Sequence, residues 1–320
     1  MSTGIDHSLG DVVCTLGVFD GVHMGHRHVL RECMRLATER SGQSLVVTFC
    51  THPRAIIEGR APKLITSIEH RLRLFEELGV QNALVLTFDD DLQQMSASRF
   101  AEAVFEESLQ ARVVILGHNC FFGRGREGSA VWLQSQGDRF SFETRQAQEV
   151  RLGSENLSSS TIREVILAGD LDRAATMLGR PYSVFGRVVH GDERGRTIGF
   201  ATANVDLHHE LRPPQGVYGA RVQVGGESHL ALVNIGVRPT FKDRVDVSDW
   251  ESRDRYETVE AHLLGFSGDL YGADVEVTFL CHLRKERVFD SAEALKAQIE
   301  RDREVFLSSL PEALRETKPH

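Results

Sequence analysis

The sequence predicts an α/β protein in two domains: an N-terminal doubly wound parallel sheet with helices on both faces, and a C-terminal antiparallel β-barrel with a closing helix. Its 320 residues exceed the usual size of one domain. Strand and helix patterns alternate through the first half, whereas valine-rich strands with glycine turns follow residue 181. We therefore expect domains over residues 1–180 and 181–320.

The N-terminal elements are predicted from the spacing of apolar residues. An apolar run over residues 11–16 is typical of an interior parallel strand, and apolar residues at helical spacing follow it at Val29, Leu30, Cys33, Met34 and Ala37. Further strands are predicted over residues 44–49, 82–88 and 111–117, and helices between them over residues 67–78 and 98–109. Sheets of this kind bind ligands at the carboxyl ends of their strands.

The C-terminal elements are predicted from alternating valine-rich segments. Five strands are expected over residues 182–190, 216–224, 229–235, 259–266 and 274–283. A helix from Ser291 to about Leu310 follows them. The residues expected to cover one face of the barrel are Ala294, Leu295, Ile299, Val305 and Phe306.

Composition excludes several classes of protein. A net charge of −9 opposes general attraction to nucleic acid or to an anionic membrane surface. The chain has no run of about 18 apolar residues and no charged segment followed by an apolar one at its start, so we expect neither a membrane span nor a signal peptide, and a cytoplasmic location. Five scattered cysteines indicate reduced thiols rather than a disulfide framework. The sequence leaves the oligomeric state open, and a homo-oligomer is one possible form.

Residues 17–26, with the sequence Gly-Val-Phe-Asp-Gly-Val-His-Met-Gly-His, lie where the first strand turns into a helix. Glycines allow close approach of the backbone, a helix N-terminus offers N–H groups to an anion, and His23 and His26 add donors for phosphate oxygens. The alternatives are a polar loop, a glycine turn, or metal ligands including His28, although no second Cys/His pair follows at the spacing of a zinc site. Nucleotide contacts are expected from Gly17, Phe19, Asp20, Gly21 and Gly25.

Three further segments of the N-terminal half are candidates. His52 follows the second strand, and Asn119 lies in a glycine-spaced loop with Arg124 and Arg126 that can hydrogen-bond a base or reach phosphate. Ordinary turns or surface loops are the alternative. Capping a helix needs one hydroxyl, whereas a cluster of four beside Arg163 predicts a second anion site at a helix N-terminus. The four hydroxyls belong to Ser158, Ser159, Ser160 and Thr161.

A glycine and arginine segment precedes a Thr-x-Asn pair in the C-terminal half. Thr202 and Asn204 face the same side of an extended segment, and their oxygens suit Mg²⁺ beside a phosphate. Glu260 alternates with Val259 and Ala261, so it is either a solvated strand glutamate or a base for a substrate hydroxyl that attacks a γ-phosphate. The glycine and arginine segment forms a predicted flap that contains Gly191, Arg194, Gly195, Arg196 and Gly199.

In this order, the motifs resemble the prokaryotic bifunctional riboflavin kinase/FMN adenylyltransferase family, also called FAD synthetase, over nearly the whole chain. Residues 17–26, 117–123 and 158–163 are similar to three motifs of its HxGH nucleotidyltransferase domain: the phosphate loop, Gly-x-Asn-Phe-x-Phe-Gly and Ser-Ser-Thr-x-Ile-Arg. The second half resembles its kinase domain at residues 199–204, residues 234–241, Glu260, residues 271–272 and the closing helix.

The resemblance implies two reactions that both use Mg²⁺. ATP phosphorylates riboflavin to FMN, and a second ATP adenylylates FMN to FAD with release of pyrophosphate. It implies that His23, His26 and Arg163 stabilise the ATP phosphates while the FMN phosphate attacks the α-phosphorus. The kinase residues that it implies are Thr202 and Asn204 for Mg²⁺ and phosphate, and Glu260 for the riboflavin hydroxyl.

Three positions depart from the family pattern. Ala201 and Thr51 stand where proline is usual, and Cys120 stands where phenylalanine is usual. None of them removes a catalytic group, so both activities are expected to persist with altered affinity. Two other functions stay open: a paralogue with one activity altered, acting on a modified flavin or using another nucleotide, and a non-catalytic flavin-binding protein.

Overall fold

The computed structural model describes residues 10–59, 62–153, 157–190, 202–208, 210–237 and 257–311. Internal contacts divide the chain into two compact units, Met1–Ser159 and Ser160–His320. A parallel sheet with helices forms the first unit and a closed antiparallel barrel forms the second, which confirms the predicted fold class. The boundary expected at residue 180 stays a prediction.

The first unit is built on a parallel sheet with the strand order β3-β2-β1-β4-β5. Its strands are β1 (Val12–Leu16), β2 (Gln43–Phe49), β3 (Asn82–Leu86), β4 (Ala111–Leu116) and β5 (Glu143–Gln146). The chain adds β2 and β3 on one side of β1, then β4 and β5 on the other. The strand order therefore reverses between β1 and β4, which is where open α/β sheets bind ligands.

Helices cover both faces of this sheet. They are α1 (Met24–Glu39), α2 (Arg54–Ile57), α3 (Ile68–Glu77), α4 (Asp90–Gln94), α5 (Ala97–Phe100) and α6 (Ala130–Ser135). A π-helical segment, Ala101–Ser108, continues α5, so the helix predicted over residues 98–109 changes its winding part of the way along. In β1, Val13 packs in one core cluster with Cys33 of α1, whereas Cys14 packs in another with Phe105.

The second unit is a closed barrel in which all neighbouring strands are antiparallel, in the order β10-β7-β6-β11-β8-β9. The strands are β6 (Ser183–Val189), β7 (Ala203–Asp206), β8 (Gly216–Val224), β9 (Glu227–Val237), β10 (Glu257–Leu263) and β11 (Asp274–Arg284). The helices are α7 (Ser159–Leu167), α8 (Leu171–Leu178) and α9 (Ala292–Ser309). No helix in the described ranges is long and apolar enough to cross a membrane.

The closing helix α9 packs on the barrel through Phe306, which is fully buried in a cluster with Leu230 and Leu232. Gly219 of β8 leaves room for its ring, because a Cβ at this glycine would lie 2.2 Å from Cδ2 of Phe306. Any larger residue at this position would displace the helix from the strand.

The prediction that Ala294 and Val305 cover the barrel is wrong, since both side chains are exposed. The buried side of α9 contains Asp302 instead, and Nε and Nη2 of Arg284 each lie 2.9 Å from its Oδ2 atom. The prediction is right for Ile299 and Phe306, which pack in the cluster, but the apolar pattern did not indicate that an ion pair takes one of the inward positions.

Replacing Phe306 tests how much this packing contributes. Phe306→Ala should lower the free energy of unfolding of the second unit by about 3–5 kcal/mol, because it leaves a cavity beneath the helix. The measurement is urea-dependent hydrogen exchange of β8 and α9 peptides. The neighbouring exposed residue provides a matched control, and Val305→Ala should change the same free energy by less than about 0.5 kcal/mol. Equal losses in the two variants would contradict the packing described here.

Candidate active sites

A cavity of about 760 Å³ lies in the first unit at the carboxyl ends of its strands, and its volume suits a nucleotide-sized ligand. Of the residues predicted to bind a ligand, those that line it are Gly17, Phe19, Asp20, His23, Gly25, His26, His52, Asn119, Ser158 and Ser159. Gly21 does not line the cavity. It has a φ of 82°, and its N–H donates to Oγ1 of Thr66 at 2.9 Å.

The loop between β1 and α1 holds a strained conformation. Phe19 and Val22 have positive φ values of 53° and 42°, which are unusual for residues with bulky side chains. Asp20 is buried, and its Oδ1 accepts hydrogen bonds from the N–H groups of Ile65 and Thr66 at 2.9 and 3.0 Å. This carboxylate oxygen therefore anchors the loop to the backbone of residues 65–66.

His23 and His26 form a stacked pair at the start of α1, with ring centroids 3.5 Å apart. Nδ1 of His23 caps the helix by accepting the N–H of His26 at 3.3 Å, so a neutral His23 ring has its proton on Nε2. A Cβ at Gly25 would lie 3.2 Å from the His23 ring. Glycine at this position therefore lets the capping ring lie close to the first turn.

His26 is held in its neutral form. Burial lowers its pKa well below the usual value, and the neighbouring His23 and Arg71 lower it further. Its Nδ1 atom is buried and has no hydrogen-bond partner among the described residues, although the residue lines the cavity. The neutral ring can therefore bind a ligand through a hydrogen bond rather than through a positive charge.

Positive charge in the cavity comes from Arg54, Arg124 and Arg126. The guanidinium of Arg126 lies 4.4 Å from the centroid of the Phe121 ring, and Nε of Arg54 lies 3.3 Å from Glu58. Sequence reasoning considered Arg124 and Arg126 as phosphate contacts but missed Arg54. Arg54 comes just after His52 and Pro53, at the end of a parallel strand, and this position could have identified it as a candidate.

Cys120, the residue in place of the usual phenylalanine, also lines the cavity. Its Sγ donates to the carbonyl oxygen of Leu16 at 3.1 Å, and burial raises the pKa of the thiol to about 12. The side chain is thus an uncharged packing element at the end of β1 rather than a nucleophile.

The hydroxyl cluster at the start of α7 is divided between two environments. Ser158 and Ser159 line the cavity, and Oγ of Ser159, the last residue of the first unit, donates to the backbone oxygen of Asp20 in the strained loop at 2.9 Å. The next residues, Ser160 (exposed), Thr161 and Arg163 (both half-buried), belong by contacts to the second unit.

In the barrel, Glu260 lies between two asparagines on neighbouring strands. Asn204 of β7 and Asn234 of β9 are its directly opposite partners, so the three side chains lie on the same face of the sheet. Val259 and Ala261 are buried, whereas Glu260 is partly exposed, so this face is the one turned away from the barrel core. Sequence reasoning included Asn234 in a motif but assigned it no role.

The predicted kinase residues fall partly inside and partly outside the described ranges. Thr202 is described and directly precedes β7. The predicted flap lies outside the described residues; its members are Gly191, Arg194, Gly195, Arg196 and Gly199.

A histidine and glycine loop at the carboxyl end of the central strand of a parallel sheet, followed by a closed barrel with polar side chains on its outer face, defines a two-unit α/β enzyme with a candidate site in each unit. A family model for FAD synthetase matches residues 5–161, and one for riboflavin kinase matches residues 178–310. The chain belongs to the bifunctional riboflavin kinase/FMN adenylyltransferase family.

Curated relatives with this name come from several bacteria. The Haemophilus influenzae protein is 36% identical over 90% of this chain and 91% of its own length. Those of Escherichia coli K12 and Bacillus subtilis are 36% and 33% identical, and each alignment covers 91% of this chain and 90% of the relative. The similarity therefore extends across both units.

A solved structure also matches almost the whole fold. It is a crystal structure described as a macrolide-efflux protein from Streptococcus pneumoniae, with a TM-score of 0.78 and 29% identity, and the match covers 96% of this chain and 97% of that one. The activity in that description belongs to the other protein.

The lowered pKa of His26 predicts how the stability of the first unit depends on pH. Above the usual histidine pKa of 6.5, the residue is neutral in both the folded and the unfolded chain. Below it, the unfolded chain binds a proton that the folded chain does not, so His26 lowers the free energy of unfolding by up to about 1.4 kcal/mol per pH unit. Hydrogen exchange of β1 and α1 peptides at several urea concentrations, between pH 8 and 5, measures this.

The control is His26→Gln, whose first unit should lose less stability over the same pH range because it lacks the titrating ring. A variant with the same pH dependence as the original chain would contradict the neutral assignment.

Proposed function

We propose that this chain makes flavin cofactors by two ATP-dependent reactions at two sites. The second unit phosphorylates riboflavin to FMN, and the first unit adenylylates FMN to FAD with release of pyrophosphate. One observation carries the proposal: each unit matches the family model of one activity and has its own cluster of suitable polar residues. The 33–36% identity to relatives with both activities favours this function over a modified flavin, another nucleotide or a non-catalytic role.

In the adenylyl transfer, a phosphate oxygen of FMN attacks the α-phosphorus of ATP in line with the departing pyrophosphate. The attacking phosphate is already ionised near neutral pH, so no base is needed. His23 and His26 donate hydrogen bonds to the phosphates, while the assisting role of Arg163 stays a prediction from the family resemblance. The arginines that line the cavity balance the charge that passes to pyrophosphate. Catalysis comes from positioning and electrostatic stabilisation, with no covalent enzyme intermediate.

In the kinase reaction, Glu260 accepts the proton of the riboflavin 5′-hydroxyl while that oxygen attacks the γ-phosphorus and ADP leaves. The directly opposite Asn204 and Asn234 restrict the position of the carboxylate, because all three side chains lie on paired strands. A base on rigid strands keeps its geometry when the substrate binds.

We assign Mg²⁺ to the kinase site, with Thr202 and Asn204 as its protein ligands. A hydroxyl and an amide oxygen beside one carboxylate form a weak all-oxygen donor set, which suits Mg²⁺ that keeps water and nucleotide phosphates as its other ligands. The described residues contain no group of three or more His, Cys, Asp or Glu that could hold a metal ion. The ion, when bound, would neutralise the phosphate charge of ATP.

The proposed partners are small molecules, namely riboflavin, FMN and ATP. The net charge of −9 disfavours binding to nucleic acid and to anionic membranes. The five cysteines are free thiols, which is consistent with the proposed cytoplasmic location.

Product analysis tests the proposed function directly. Purified protein incubated with riboflavin, ATP and Mg²⁺ should yield FMN and then FAD, resolved by chromatography. Formation of FMN without FAD would contradict the adenylyltransferase assignment. If neither FMN nor FAD forms, both assignments are wrong. Parallel reactions with CTP and GTP should yield little product if ATP is the nucleotide.

Glu260→Gln separates the two sites. The amide cannot accept the hydroxyl proton, so we expect FMN formation to fall by at least about 100-fold, while FAD formation from supplied FMN stays within two-fold. The matched control is Glu227→Gln, which changes a barrel glutamate whose side chain is 74% exposed and should leave both rates unchanged. Loss of both activities in Glu260→Gln would contradict the assignment of two sites.

A further inference from the structure

A buried arginine lies behind the cavity of the first unit. Arg71 of α3 is 0% exposed and shares the buried side of the helix with Leu74 and Phe75. A guanidinium stays charged in proteins, and burying a charge costs several kcal/mol unless its donors are satisfied. An apolar side chain would fill this position at no such cost, so the arginine requires a specific reason.

The guanidinium connects the carboxyl ends of β1 and β2. Nη1 donates to the carbonyl oxygen of Val18 and, at 3.2 Å, to Oγ1 of Thr48, while Nη2 donates to the carbonyl oxygen of Phe49 at 3.2 Å. Nε donates to the carbonyl oxygen of Ser67 at 3.4 Å. A planar fork of five donors suits these separate acceptors, whereas a lysine ammonium is a point charge with three donors.

The acceptors of Arg71 include walls of the cavity. Val18 and Phe49 line the cavity, whereas Arg71 itself does not. Val18 directly precedes Phe19, where the strained part of the loop begins. A partly buried carbonyl that loses its donor is less well satisfied, so loss of the guanidinium favours rotation of the Val18 peptide and a shift of the loop.

Arg71 also provides a fixed positive charge near the stacked histidines. The charge of Arg71, on α3, lowers the pKa of His26, and so does the neighbouring His23, which caps α1. The buried Asp20 lies in the loop that precedes both histidines. Charges in a buried environment interact more strongly than charges in water, so a cation here favours a polyphosphate in the cavity.

We propose that Arg71 is a positioning residue for adenylyl transfer: it fixes the walls of the cavity at Val18 and Phe49, and its buried charge favours the phosphates of ATP. The inference rests on the adenylyltransferase activity proposed above for the first unit. Arg71 acts through these backbone groups and through its electric field, without touching substrate.

The test compares three variants of the full chain. Arg71→Met removes the charge and the fork at similar length, and Arg71→Lys keeps the charge but loses the fork. Arg73→Met changes an exposed arginine two residues along the same helix and is the matched control. Steady-state FAD formation from FMN and ATP gives kcat and the KM for ATP, FMN formation from riboflavin gives an internal reference, and NMR titration of His26 reports the electric field.

Arg71→Met should lower kcat/KM for FAD formation by about 10- to 100-fold, raise the pKa of His26, and leave FMN formation within two-fold. Arg71→Lys should keep the pKa of His26 low but recover only part of kcat/KM. Arg73→Met should match the original chain in every measurement.

FAD formation within two-fold of the original in Arg71→Met would overturn the proposal. If that variant does not fold, Arg71→Lys decides: a folded lysine variant with unchanged kcat and KM would overturn it as well. A failure of the proposed function has a different signature, because the unmodified chain would then form no FAD at all.

Discussion

The loop between β1 and α1 is the part of the first unit on which its cavity depends, and contacts from distant parts of the chain hold it in place. Residues with positive φ cost about 1–3 kcal/mol each, and the loop contains two that are not glycine. The buried Asp20 carboxylate anchors it to residues 65–66, and Arg71 holds the Val18 carbonyl. These hydrogen bonds offset the strain and fix the position of the histidine pair.

The two units build their sites in different ways. A parallel sheet brings loops together at one edge, so residues 17–26, 52–54 and 117–126 meet although they are far apart in sequence. The antiparallel barrel instead presents alternate side chains of paired strands, which brings Asn204, Glu260 and Asn234 side by side. The first arrangement can enclose a nucleotide, whereas the second places polar side chains of three paired strands side by side.

Elements with a strong apolar period were predictable from sequence, and elements without one were not. The strand and helix pattern of β1, α1 and β2 is close to the prediction. Two short strands, β5 (Glu143–Gln146) and β7 (Ala203–Asp206), were missed because four residues give too little alternation. On α9, the apolar residues Ile299 and Phe306 pack on the barrel as predicted, whereas Ala294 and Val305 are exposed. Asp302, paired with Arg284, occupies an inward position that the apolar pattern did not predict.

The sequence by itself determined the two-domain α/β architecture, the glycine and histidine loop and the orientation of Glu260, because each depends on local periodicity or on a short motif. Only the tertiary structure decided that His23 and His26 stack, that His26 stays neutral, that Arg71 binds the carbonyl oxygen of Phe49 in the cavity wall, and that Asn234 lies opposite Glu260. These features arise from burial and from hydrogen bonds between residues that are distant along the chain. A charged residue on the apolar side of a helix was the one local sign of Arg71.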